Sequence, residues 1–132
     1  MTDARRAKRL LFGINREQDK ESDSLNFVGC TVEHILPRSP KHWDGWASFQ
    51  SAESDSEYSV SRIGNLTLMG TSDGHSRSNA DFATKKKVFE QSPIKITRQL
   101  ASYSDWTPEI VGTRSVKIAS KAAIVWSFPS QR

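Results

Sequence analysis

Phe27-Val28-Gly29-Cys30-Thr31-Val32-Glu33-His34-Ile35-Leu36, closed by Pro37, is rich in β-branched and apolar residues and predicts a strand over 27–36. Farther along, Ile63 to Met69 (IGNLTLM) predicts a second short strand entered through a Gly64-Asn65 turn. The polar stretch GTSDGHSRSN (70–79) then reads as a loop. It runs into DFATKKKVFE (81–90), where Phe82, Lys85 or Lys86, and Phe89 share a helical face. Strand, excursion, strand, polar loop and helix make a mixed α+β chain.

Working outward, residues 1–20 place Ala4, Ala7, Leu10, Leu11 and Ile14 at helical spacing beneath Arg5, Arg6, Lys8, Arg9 and Arg16, an amphipathic helix with a basic outer face. DKESDSLN (19–26) is a polar connector. Ser39 to Phe49 opens on a Ser-Pro helix start and carries Trp43, Trp46 and Phe49 three residues apart, a short helix covering the core. Gln50 to Ser61 is serine-rich and acidic, and belongs on the surface away from any phosphate. Ile94 to Tyr103 predicts a further helix. Thr107-Pro108-Glu109 is an N-cap with proline in the first turn, after which Val111, Ser115, Ile118, Ala122 and Val125 mark one face of a long final helix.

With 132 residues the chain reads as one domain, 1–132, with no repeat and no linker long enough to divide it. The single cysteine, Cys30, rules out an internal disulfide and a multi-cysteine zinc site, which fits a reducing, cytoplasmic setting. No stretch is long and apolar enough to span a membrane, and the arginine-rich start lacks the apolar core of a signal peptide. A net charge of +4 is compatible with a nucleic-acid partner without demonstrating one. The charge is a sum over opposed regions: basic residues gather in the first helix, at 77–87 and in the last helix, and acidic ones at 44–57.

Glu33-His34 is the pair that carries chemistry. A carboxylate can hold a cation, and an imidazole titrating near pH 6.5 can take a proton from water at neutral pH, the two requirements of metal-assisted hydrolysis. Adjacent side chains in a strand point to opposite faces, so the two share a site only if the strand ends, twists or bulges there, and Pro37 supplies an ending. Alone, the pair reads first as an exposed acid beside a hydrogen-bonded structural histidine.

In combination, EHILP (33–37), GNLTLM (64–69) and SNADFATKK (78–86) resemble, in order and spacing, the HNH nuclease motif, and specifically the C-terminal nuclease domain of GmrSD-type modification-dependent restriction endonucleases. The likeness spans nearly the whole chain: Arg9-Leu10-Leu11, Trp43, Trp106-Thr107 with Ile110 and Arg114, and Trp126 also look like that family's pattern. The resemblance implies a ββα-metal core with flanking helices at both termini, built around one divalent ion, Mg²⁺ or Mn²⁺. It makes Glu33 a metal ligand, His34 the general base and Asn65 the organiser of the hairpin loop, a role that suits an amide offering donors and acceptors together.

At the third motif position the sequence departs from the family. The place that usually holds a metal-ligating asparagine falls on Gly74, which has no side chain to offer, and Asn79 takes the family's second, structural asparagine. His75 is the preferred replacement ligand, with Asn79 and Asp73 as fallbacks. Arg38, Arg62, Arg77, Lys85 and Lys86 are candidate contacts to flanking DNA phosphates. The resemblance further implies DNA as substrate, a role in restricting phage DNA, and an N-terminal ParB-like nucleotide-hydrolysing domain in the same polypeptide or a partner. The other reading is a catalytically degenerate DNA-binding module, to which Gly74 gives weight.

Overall fold

Helix α1, Ala4–Gln18, forms where the sequence places apolar residues on one stripe. Ala7, Leu11 and Ile14 are buried along it, while Arg5, Arg6 and Arg9 stay exposed. The structure, a computed structural model, describes residues 4–19, 27–38, 46, 48–49, 59–70 and 80–126. Strand β1, Thr31–His34, pairs antiparallel with β2, Leu66–Met69, in the register Thr31↔Met69, Val32↔Leu68, Glu33↔Thr67 and His34↔Leu66. β1 is shorter than its β-branched run because its partner offers four residues. Upstream, 27–29 form a turn in which the Cys30 amide donates to the Phe27 carbonyl. The second strand is likewise shorter than 63–69, since Ile63–Asn65 coils into a 3₁₀ turn before it.

Helix α2, Phe82–Glu90, is capped by Asp81, whose side chain accepts from the Thr84 amide. The single helix expected over 94–103 is instead one α-turn, α3, Lys95–Arg98, tightened into a 3₁₀ turn, Gln99–Ser102. Its start is supplied from outside: Asn15 Oδ1 of α1 accepts from the Ile96 amide, satisfying a first-turn donor that has no partner within the helix. Helix α4, Pro108–Val125, begins as its sequence prescribes, with Thr107 Oγ1 accepting from the Ile110 amide and Pro108 in the first turn. The helix expected over 39–49 lies mostly outside the described residues; within it, Trp46 and Phe49 are buried.

A two-stranded hairpin is marginal by itself and must be covered on its apolar faces. Here both faces of β2 are buried. Leu66 and Leu68 join Ala7, Leu11, Ile14, Ile96 and Ile118 in one cluster under α1, α3 and α4. Met69 joins Ile35, Leu36, Trp46, Phe82, Phe89 and Trp106 in the other. Thr97 Oγ1 stitches α3 to the strand by donating to the Leu68 carbonyl at 2.6 Å while pairing with Thr67 Oγ1 at 2.7 Å. The α+β architecture expected from the sequence is therefore present, a hairpin followed by a helix with α1 and α4 flanking it. Among the described residues no helix is long and apolar enough to cross a membrane.

Candidate active site at the end of the hairpin

Beyond His34 the backbone ladder makes one more bond, Ile35 N–H to the Asn65 carbonyl at 2.9 Å, and then a side chain takes over. Asn65 Oδ1 accepts from the Leu36 amide at 2.7 Å and its Nδ2 donates to the Leu36 carbonyl at 3.0 Å. The amide thus acts as a substitute peptide, adding a rung where β2 has already turned away. Its remaining capacity is also filled: Nδ2 donates to the Val60 carbonyl at 3.1 Å, and Trp106 Nε1 donates to Oδ1 at 3.0 Å. Asn65 is fully buried and uses two acceptor and two donor positions.

The turn that presents Asn65 is clamped from α4. Arg114 Nη1 donates to the Gly64 and Leu66 carbonyls, both at 2.8 Å, and Ser115 Oγ accepts from the Gly64 amide at 2.9 Å. Arg114 is buried, and loss of hydration draws its pKa down to about 10, so it remains charged at neutral pH. Gly64 lies so close to α4 that a Cβ there would overlap the Val111 carbonyl and the Ser115 hydroxyl, and would stand 2.7 Å from the Ser115 amide. Phe82 stacks on Trp106 with ring centroids 5.4 Å apart, joining α2 to the same post.

His34, the last residue of β1, is half-buried, and Nε2 accepts from exposed Arg38 Nε at 3.4 Å. Burial is the largest influence holding its pKa below the ordinary histidine value. Arg38 and Lys85 push the same way and Glu33 opposes them. The imidazole is therefore neutral at pH 7, the form that can accept a proton. Glu33 stands opposite Thr67 and His34 opposite Leu66, so within the ladder their side chains leave from opposite faces, and the strand ends directly after them.

Lys85 corrects the sequence reading. The lysine run predicts a phosphate contact at the surface, but the Lys85 side chain is fully buried: Nζ is 3.2 Å from Glu33 Oε2 and donates to the carbonyls of His34 at 2.6 Å and Ile35 at 3.0 Å. Three acceptors match the three N–H donors of an ammonium, and none is left for DNA. The cause is its position three residues after Phe82 and four before Phe89, on the stripe of α2 that faces the core. Lys86 is half-buried and Lys87 exposed. Arg62 is half-buried, with Nη1 against α4 at Gly112.

Asp73, His75, Arg77 and Asn79 lie outside the described residues, and among the described residues no group of three His, Cys, Asp or Glu gathers for a metal ion. Glu33 nonetheless fits a hard cation as one donor. Its side chain is 19% exposed, and a carboxylate has lone pairs enough to serve an ammonium and an ion together. Trp106, Arg114 and Ser115 support the site in roles that the pattern leaves open, and Lys85 supports it from within rather than as a phosphate contact. For Ser115 the available signal is its place between Val111 and Ile118 on the apolar face of α4, and for Trp106 and Arg114 it is the family pattern.

Comparison with known families finds that the model of GmrSD restriction endonucleases, C-terminal domain, matches residues 2–121. No curated protein matches the chain.

Proposed function

The chain belongs to the family of GmrSD restriction endonuclease C-terminal domains, and from that premise we propose that it is a metal-dependent DNA endonuclease in which His34 activates water for phosphodiester hydrolysis. The observation that carries this reading is His34 itself: a half-buried imidazole at the open end of β1, against the guanidinium of Arg38 and next in the chain to Glu33, with burial and nearby cations holding its pKa below the ordinary value.

His34 would take the proton from the attacking water, since burial and nearby cations favour its neutral form. Arg38 would hold a phosphate oxygen close to that nitrogen, and Lys86 and Arg77 would receive phosphates farther along the strand. Glu33 would hold the divalent ion together with side chains of the 71–79 segment, His75 first among them, then Asp73 or Asn79. When bound, Mg²⁺ or Mn²⁺ supplies neutralisation of the charge that develops on the phosphorus oxygens. Asn65 would fix the end of the hairpin so that His34 and Glu33 keep their spacing. An N-terminal ParB-like domain, in the same polypeptide or a partner, would select the phage DNA to be cut, in the cytoplasm.

Supercoiled plasmid incubated with Mg²⁺ or Mn²⁺ tests the reading. Nicking or linearisation that disappears in His34→Ala, a variant with an unchanged unfolding midpoint, is the expected result. Metal and DNA binding without any cleavage would overturn it in favour of a degenerate binding module.

A further inference from the structure

A recess of about 320 Å³ opens between α1, α3 with its 3₁₀ extension, and α4, apart from the end of the hairpin. Its floor is apolar, formed by residues including Leu11, Ile96 and Ile118, and its walls carry Arg114, Lys117 and Lys121 with Tyr103. No Asp or Glu is among its described lining residues. Among the described residues both hydrogen bonds that Arg114 makes leave from Nη1, so Nε and Nη2 remain to meet a ligand. Lys117 and Lys121 have no ion pair among the described residues. We propose that this recess binds a small phosphorylated ligand, a phosphate dianion carried on an apolar or aromatic body.

Three cations converging without an acid call for more than one negative charge, which favours a phosphate dianion over a carboxylate. The state of Lys121 agrees: burial lowers its pKa, and Lys117, Arg114 and Lys95 lower it further, a repulsion that a bound anion relieves. The apolar floor and the volume suit a compact organic group, since small-ligand pockets begin at roughly 300 Å³. A DNA backbone, by contrast, tracks an exposed basic surface and brings no apolar group to fill a floor. Occupancy would also be felt at the hairpin, because the guanidinium facing the ligand holds the Gly64 and Leu66 carbonyls on either side of Asn65.

Phenyl phosphate, inorganic phosphate and phenol are the probes, titrated into the ¹⁵N-labelled full chain and followed by NMR. Saturable shifts of the Tyr103, Lys117 and Lys121 amides are expected, with phenyl phosphate binding roughly 10-fold more tightly than inorganic phosphate or phenol. The double variant Lys117→Glu/Lys121→Glu, altered at two exposed positions, should weaken phenyl phosphate by roughly 10-fold or more and leave the unfolding midpoint unchanged. Absence of a saturable shift overturns the proposal, as does equal response to phenol and phenyl phosphate, or indifference to the charge reversal. A short DNA duplex that displaces phenyl phosphate and perturbs the same amides more strongly would also overturn it, reassigning the recess to backbone phosphates. None of these outcomes depends on whether the hairpin end cleaves DNA.

Discussion

Replacing Asn65 by aspartate changes one atom type and leaves the shape intact, so it isolates what the amide donors do. In the native chain Nδ2 donates to the carbonyls of Leu36 at 3.0 Å and Val60 at 3.1 Å, in a fully buried place. Asn65→Asp sets a carboxylate oxygen against both carbonyls. Each carbonyl left unpaired costs about 1–3 kcal/mol, so the pair costs about 4 kcal/mol before any repulsion. For a domain whose whole stability is of order 5–15 kcal/mol, that is a large fraction. At an m-value of about 2 kcal/mol per molar urea, the midpoint should fall by about 2 M, followed by tryptophan fluorescence. The loss should also depend on pH. Carbonyl neighbours and burial raise the folded-state pKa of the new Asp above its unfolded value. Its protonated form can donate once, so stability relative to wild type is greatest below the unfolded pKa and is lost as pH rises through the folded one. A deficit under 1 kcal/mol at pH 7, or one that does not shrink at pH 4, would refute the assignment of Asn65 as a surrogate peptide and return it to an ordinary turn asparagine.

Lys85→Met should destabilise by about 3–5 kcal/mol in thermal unfolding, because it takes a buried ammonium away from Glu33 and from two strand-end carbonyls, whereas Lys86→Ala should stay within about 0.5 kcal/mol. Gly64→Ala should cost about 3 kcal/mol or more by denaturant titration, since the added methyl meets α4 backbone; its φ is not positive, so proximity rather than conformation demands glycine. For His34, NMR titration of the ring should give a pKa below 6.5, with Arg38→Ala moving it up and Glu33→Gln moving it down. If plasmid cleavage uses it as base, the rate should fall as pH drops through that lowered value. Over the same range the histidine also subtracts from fold stability, because the unfolded chain takes its proton first.

Local rules carried the element order because they act within a few residues. Thr107-Pro108 names the start of α4 by its own chemistry, and Ala7, Leu11 and Ile14 name the buried stripe of α1. The lengths of β1 and β2 were not legible, because each is limited by the other and by the side chain of Asn65, which ends the ladder from a distance of 29 residues. Lys85 was misread for a related reason. A run of three lysines has the composition of a solvated face, and only the arrival of two carbonyls and a carboxylate from β1 makes burial tolerable. The helical spacing that put Lys85 between Phe82 and Phe89 already pointed inward, and it was the better signal. Trp106 and Arg114 were legible as part of a family pattern but not in what they do, since their partners lie 41 to 50 positions away.

The clamp on the hairpin has an implication for synthesis. His34 and Asn65 leave the ribosome before the indole that fills the last position on Oδ1 and the guanidinium that grips Gly64 and Leu66, which arrive only with residues 106–114. A chain interrupted before Trp106 therefore carries both residues and lacks what fixes them in place. If the chain cuts DNA as proposed, that order keeps copies truncated before residue 106 harmless, because the hairpin end is fixed only by residues that follow it in the chain.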